Sequence, residues 1–149
     1  MYLNSDFENS NLDESHKQGF ELQNSFVVNP KWSTSVNYAF TNAKIDKEAD
    51  DAGALNGKTN PMTSKHNISA SIIYSISDKA NMTLTQKYRS SAFAEEDYTN
   101  TATQKQKAYN STDFNFSFRP NEDLEFNFDV ENIFENSYGT WLRADVIYP

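Results

Sequence analysis

The sequence predicts an all-β fold: an antiparallel up-and-down meander of about six to seven strands whose two unlike faces suit a segment of a transmembrane β-barrel. Three observations predict it. Apolar and polar residues alternate with a period of two along most of the chain. Short turns and long polar loops alternate as connections. The apolar parity is rich in aromatic rings, while the polar parity lacks the charge runs of a soluble surface. Successive strand side chains point to opposite faces, so this alternation specifies a sheet and not an amphipathic helix.

Taken in order, a partial strand is expected near residues 1–7 and a full one over 18–28, where Phe20, Leu22, Phe26 and Val28 alternate with Glu21, Gln23 and Ser25. Asn29, Pro30 and Lys31 have turn chemistry. A strand over 32–44 sets Trp32, Val36, Tyr38 and Phe40 against Ser33, Ser35, Asn37 and Ala39. After a long link at 45–65, the strand 66–76 places Ile68, Ala70, Ile72, Tyr74 and Ile76 opposite Asn67, Ser69 and Ser71. Ser77, Asp78 and Lys79 turn the chain into 80–91, with Ala80, Met82, Leu84 and Tyr88 on one face and Asn81, Thr83, Thr85 and Lys87 on the other. The link 92–107, polar at 99–107, reads as a solvated loop. The strand 108–119 carries Phe114, Phe116 and Phe118 against Asp113, Asn115 and Ser117. Residues Pro120 to Asp123 turn into 124–134, where Leu124, Phe126, Phe128 and Val130 alternate with Glu125, Asn127 and Asp129. Val27 and Ile73 are the apolar exceptions on the polar parity.

In a meander every second connection emerges at the same end, so all short turns sit at one rim and all long loops at the other. That asymmetry is the topology of outer-membrane barrels, and strands of about ten residues match the nine to eleven that cross a bilayer at a tilt. The apolar side chains, at about 1.5–3 kcal/mol each for full burial, represent several tens of kcal/mol that cannot be left in water. Lipid, a second sheet or a second copy of the chain would each cover them. Trp32, Tyr74, Tyr88, Tyr109, Trp141 and Tyr148 lie near expected strand ends, where interfacial girdles place amphipathic rings.

With 149 residues the chain has room for one domain, 1–149, and its 37% hydrophobic share is compatible with strands that show lipid at every second position. A net charge of −8 argues against nucleic acid. The acidic residues gather in the links, at Asp46, Glu48, Asp50 and Asp51 and at Glu95, Glu96 and Asp97. Absence of cysteine removes disulfides and thiol chemistry. No secretory signal follows Met1, and a chain that starts inside a β pattern and stops at Pro149 is expected to be a piece of a longer one.

Candidate chemistry is sparse. His16 and His66, the two histidines, stand fifty positions apart and are expected at ordinary polar positions. Asp46, Glu48 and Asp50 imitate the start of a calcium loop, but Asp51 replaces the required glycine and Gly57 the bidentate glutamate, which leaves a solvated acidic loop. Neither a nucleophile elbow nor a phosphate-cradling glycine loop is present in the sequence. No catalytic, cofactor-binding or metal-binding residue is assigned, and no enzyme activity is expected.

Four stretches then carry a resemblance. His16 to Leu22 is similar to a Gly-Val-Glu-Leu-Glu strand start, Trp32 to Lys44 to the strand that follows it, and Lys65 to Ile68 to a Pro-Lys-His strand opening. Phe126 to Tyr138, with Val130, Glu131, Asn132, Ile133 and Phe134 at its centre, is similar to Val-Glu-Asn-Leu-Phe-Asp-Lys-Lys-Tyr, the most specific of the four. Together they resemble the C-terminal part of the barrel of TonB-dependent outer-membrane receptors. The resemblance implies a wall segment lacking the N-terminal plug and the final strand, inactive alone. The whole would be an active-transport receptor in the outer membrane of a Gram-negative bacterium. Its implied partners are the lipid bilayer, a scarce nutrient such as a ferric siderophore, haem or cobalamin, and a TonB-type energy-coupling protein acting on the plug. The links 45–65, 92–107 and 135–147 would face outward, and Glu131 and Asn132 would be structural. The alternative is a soluble all-β binding or adhesion module that packs the apolar parity in a sandwich or a dimer, and self-association of an isolated segment through its open edges is a further expectation.

Overall fold

A computed structural model describes the backbone of residues 2–3, 9–10, 12–48, 53–101, 105–139, 141–143 and 146–148, and the side chains of 14–48, 53–101 and 105–139. Twelve strands appear among them: β1 (Tyr2–Leu3), β2 (Asn9–Ser10), β3 (Leu12–Asn29), β4 (Trp32–Glu48), β5 (His66–Ser77), β6 (Ala80–Arg89), β7 (Ala92–Phe93), β8 (Lys105–Gln106), β9 (Tyr109–Asn121), β10 (Leu124–Val130), β11 (Trp141–Arg143) and β12 (Val146–Tyr148). Six form one antiparallel sheet in the order β10-β9-β6-β5-β4-β3, so each long strand lies beside its neighbours in the chain. The up-and-down meander is the observed fold. The remaining strands pair as short hairpins, β1 with β2, β7 with β8 and β11 with β12. The partial strand expected at 1–7 is represented by Tyr2–Leu3, and residues 4–8 lie outside the described residues.

Three boundaries differ from the sequence reading by more than three residues. β3 starts at Leu12 and β4 runs to Glu48, because the two strands pair with each other well past the point where β5 begins. β10 stops at Val130 because Asn132 takes a left-handed conformation, φ 52°, that carries the chain out of the ladder. The link 92–107 is also more than a solvated loop, since it contains the β7–β8 pair and Gln106 is buried.

The register joins like to like. Ile72 stands opposite Leu84, Leu84 opposite Phe114 and Phe114 opposite Val130, which makes one unbroken apolar face across four strands. The opposite face is a polar ladder. Ser71 and Thr85 hydroxyls meet at 2.9 Å, Asn115 Nδ2 donates to Asp129 Oδ1 at 2.7 Å, and Arg119 pairs with Glu125. Cross-strand pairs of this kind are what stabilise a sheet.

Burial is inverted relative to a soluble domain. Phe20, Leu22 and Phe128 on the apolar face are 58%, 57% and 60% exposed, whereas Ile45 is 0% exposed. The buried apolar residues Ala43, Ile45, Leu55, Ala92 and Ala94 belong mainly to the loop end, where residues 57–65 run back along β4 through Ile45 N to Lys58 O, Gly57 N to Ile45 O and Asn60 N to Ala43 O. Soluble monomers do not present an apolar sheet face of this extent to water.

The aromatic rings mark the borders of that face. Trp32 and Tyr74 stack at 4.5 Å at the short-turn end, and Phe20, Tyr38, Phe40 and His66 cluster at the loop end, with Tyr38 Oη and His66 Nδ1 2.8 Å apart. From Trp32 to Phe40 is eight strand steps, which at about 3.3 Å each and a 40° tilt span about 20 Å of membrane normal, before the width of the border rings is added. Tyr109 departs from the girdle reading: its parity is that of the polar face, and its ring stacks on Tyr138 at 4.3 Å. The side chains of Trp141 and Tyr148 lie outside the described residues.

The three tight turns share one construction. Each begins with Asn or Ser whose side chain accepts a backbone N–H two residues on: Asn29 from Lys31 (2.9 Å), Ser77 from Lys79 (3.2 Å) and Asn121 from Asp123 (3.1 Å). In each hairpin the register also shifts by one residue beside the turn. Asn29 Oδ1 accepts a second N–H, from Trp32. Asn29→Ala should therefore cost about 1 kcal/mol, read as a lowered denaturant midpoint with unchanged slope. Gly19 is fixed differently, because a Cβ there would overlap the Phe40 carbonyl across the β3–β4 ladder.

Candidate functional site

The polar face curves around a hollow of about 520 Å³ near the loop end of the sheet. Its lining reaches from Glu21 and Gln23 on β3 to Glu131 and Tyr138 beyond β10, so residues at both edges of the sheet look into one space. A flat sheet does not allow this. The polar parity is the concave side, as a barrel lumen requires, and the apolar parity the convex one.

Three features give the hollow its chemistry. On β6, Lys87 Nζ reaches Asp113 Oδ2 on β9 at 2.6 Å, and the Asp113 side chain also accepts the Asn132 N–H at 2.9 Å. Two residues further along β6, Arg89 donates through Nε to the neutral Asn67 Oδ1 at 3.0 Å. Among the described residues no carboxylate lies within ion-pair distance of the Arg89 guanidinium, which lines the hollow. Finally, the parallel rings of Tyr109 and Tyr138 form an aromatic lip.

The stretch from Val130 to Tyr138 builds that lip. Asn132 occupies φ 52°, a conformation Asn tolerates better than most residues. Its amide clasps Asn136 reciprocally, Nδ2 to Asn136 O at 3.0 Å and Asn136 N to Oδ1 at 3.1 Å. Ile133 N bonds Thr112 O at 2.8 Å, and Asn136 Nδ2 reaches Asn110 Oδ1 at 2.9 Å. The chain is folded back along the start of β9, which sets Tyr138 on Tyr109. Asn132 is thus structural, while Glu131 lines the hollow.

The remaining residues weighed for chemistry are engaged elsewhere. His16 Nδ1 meets Asp46 at 2.6 Å, and Glu48 accepts the Leu55 N–H at 3.3 Å. His66 sits in the outward aromatic cluster. Asp50 and Asp51 lie outside the described residues. No group of three or more metal-ligating side chains forms among the described residues, and no described helix is long and apolar enough to cross a membrane.

Against known proteins, the family profile described as TonB dependent receptor-like, beta-barrel matches residues 2–133. The chain belongs to this family of TonB-dependent receptor β-barrels. Solved structures share the family's barrel fold. The ferric yersiniabactin uptake receptor FyuA of Yersinia pestis superposes with a TM-score of 0.66 at 18% identity, over 88% of this chain and 20% of that one. The siderophore receptor PiuA of Acinetobacter baumannii gives 0.68 at 19% identity, over 85% and 19%. The ferric citrate transporter FecA gives 0.70 at 22% identity, over 83% and 20%. The chain spans about a fifth of the length of these receptors. No curated protein sequence matches it significantly. Within the TonB-dependent receptor frame, the concave polar face corresponds to the barrel interior and the convex apolar face to its lipid-facing wall.

Sequence assigned no role to Arg89 or Tyr138, placed Tyr109 in an interfacial girdle, and pointed to the loops for ligand capture. The signal for Tyr109 was its odd number, shared with Asp113, Asn115 and Ser117.

Proposed function

We propose that this chain is a C-terminal wall segment of an active-transport receptor in the outer membrane of a Gram-negative bacterium. The intact receptor takes up a scarce nutrient, a small metal chelate such as a ferric siderophore, with haem and cobalamin as other ligands of that class. A TonB-type partner acting on a plug outside this segment supplies the energy. The supporting observation is the inside-out sheet: an exposed aromatic-bordered apolar face on the convex side and a charged, tyrosine-lipped hollow on the concave side, just inside the loops. The relatives FyuA, PiuA and FecA, a ferric yersiniabactin receptor, a siderophore receptor and a ferric citrate transporter, support the ligand class. The segment's part is recognition and passage, with no bond made or broken.

Deleting the gene for the intact receptor should abolish iron-limited growth on at least one ferric chelate of a panel, and the tagged protein should fractionate with the outer membrane. A protein recovered in the soluble fraction, with growth unaffected on every chelate, haem and cobalamin, would refute the reading. Within the receptor, Arg89→Gln should raise the half-saturating chelate concentration about tenfold or more, the worth of one charge-assisted hydrogen bond. Unchanged saturation in uptake assays would remove Arg89 from the ligand path.

A further inference from the structure

We infer that the two long loops after β4 and β6 are welded into one rigid rim, so that any closing movement over the hollow must carry both together. Two contacts make the weld. The Asn100 side-chain amide stands in for a strand backbone: its Oδ1 accepts the Thr59 N–H at 2.6 Å and its Nδ2 donates to Thr59 O at 2.9 Å. The Met62 N–H donates to Phe93 O at 2.9 Å. One residue at each contact is left-handed, Asn100 at φ 58° and Met62 at φ 55°. Non-glycine residues persist there only where the surroundings hold them.

Each loop is fixed on its own side as well. Residues 57–65 are stitched to β4 by backbone bonds that include Asn60 N to Ala43 O at 3.1 Å and Thr41 N to Lys65 O at 2.9 Å. Asp97 organises the approach to Asn100 through Thr101 N to Asp97 Oδ1 at 2.9 Å and Asn100 N to Asp97 O at 3.3 Å. The buried residues Ala43, Ile45, Leu55, Ala92 and Ala94 come from these same segments, which gives the rim a small closed core. A loop that moved alone would have to break the Asn100 clasp and leave both Thr59 backbone groups without partners. This holds whatever nutrient the receptor carries.

Hydrogen exchange read at single amides of the full-length protein in detergent micelles tests the weld. In the wild-type protein the Thr59 and Met62 amides should be protected at least a hundredfold over the unfolded rate, and to a similar degree. Asn100→Gly keeps the left-handed backbone and deletes the clasp. It should accelerate both amides at least tenfold while Asn60, bonded to Ala43, keeps its protection. If Met62 stays protected when Thr59 is released, the two contacts open separately and do not form one rigid rim, and the inference fails. Unprotected Thr59 in the wild-type protein would overturn it without any variant.

Discussion

Replacing Leu84 by arginine in the bilayer-embedded protein should lower its stability by about 2 kcal/mol, the low end of the cost of a cation at the midplane on the lipid face of a barrel. Leu84 lies between Ile72 and Phe114 in the register, level with Thr34 and so inside the two aromatic borders, nearer the one at Trp32 and Tyr74, and is 44% exposed. Thr85→Arg, one residue along on the concave face, should change stability by less than about 1 kcal/mol, because its side chain meets water or polar groups. Guanidinium unfolding of the full-length protein in phosphatidylcholine vesicles, followed by tryptophan fluorescence, measures both. The contrast is diagnostic: if arginine at 84 is harmless, the apolar face does not lie against lipid.

The second large effect is expected at Asn132. Asn132→Ala puts a Cβ-bearing residue with no local hydrogen bond into a left-handed conformation, at about 1–2 kcal/mol. It also deletes two hydrogen bonds with Asn136, at about 0.5–1.5 kcal/mol each. A total of about 2–5 kcal/mol is expected from equilibrium unfolding. Asn132→Gly relieves the backbone part and should recover about 1 kcal/mol of it. Both variants should also become cleavable between residues 133 and 139, where the chain would no longer be folded against β9. Equal losses for Ala and Gly would show that the clasp alone matters.

How much the sequence revealed depended on where each residue stands relative to the apolar band. Between Trp32 and Phe40, and in the strands paired with it, one face is apolar and one polar, so parity read the strands and even their register partners. The part of β3 around Ser15, His16, Lys17 and Gln18 is polar on both faces and gave no alternation, yet it is strand because β4 extends beside it. The rim core was hidden for the opposite reason. Ala43 and Ile45 lie on the parity read as wet, and only the return of residues 57–65 along β4 buries them. The hollow needed the fold itself: Tyr109 and Tyr138 are 29 positions apart, and Lys87, Arg89 and Asp113 are ordinary polar-face residues until curvature brings them around one space. The stretch from Val130 to Phe134 was legible as a motif, but its work as a reversal pinned by Asn132 was not.

The three matching turns reach beyond the stability of single hairpins. Lys31 O accepts the Ser75 N–H, two residues before Ser77, and Lys79 O accepts the Arg119 N–H, two residues before Asn121, each at 2.8 Å. The first two hairpins thus hand their successors the same offset, each through a carbonyl in its own turn. The stagger that lets a sheet close on itself is then the accumulation of one local rule, not a property negotiated by the whole circumference. On this rule, a two-strand tile added or removed would leave the offset at each remaining joint unchanged.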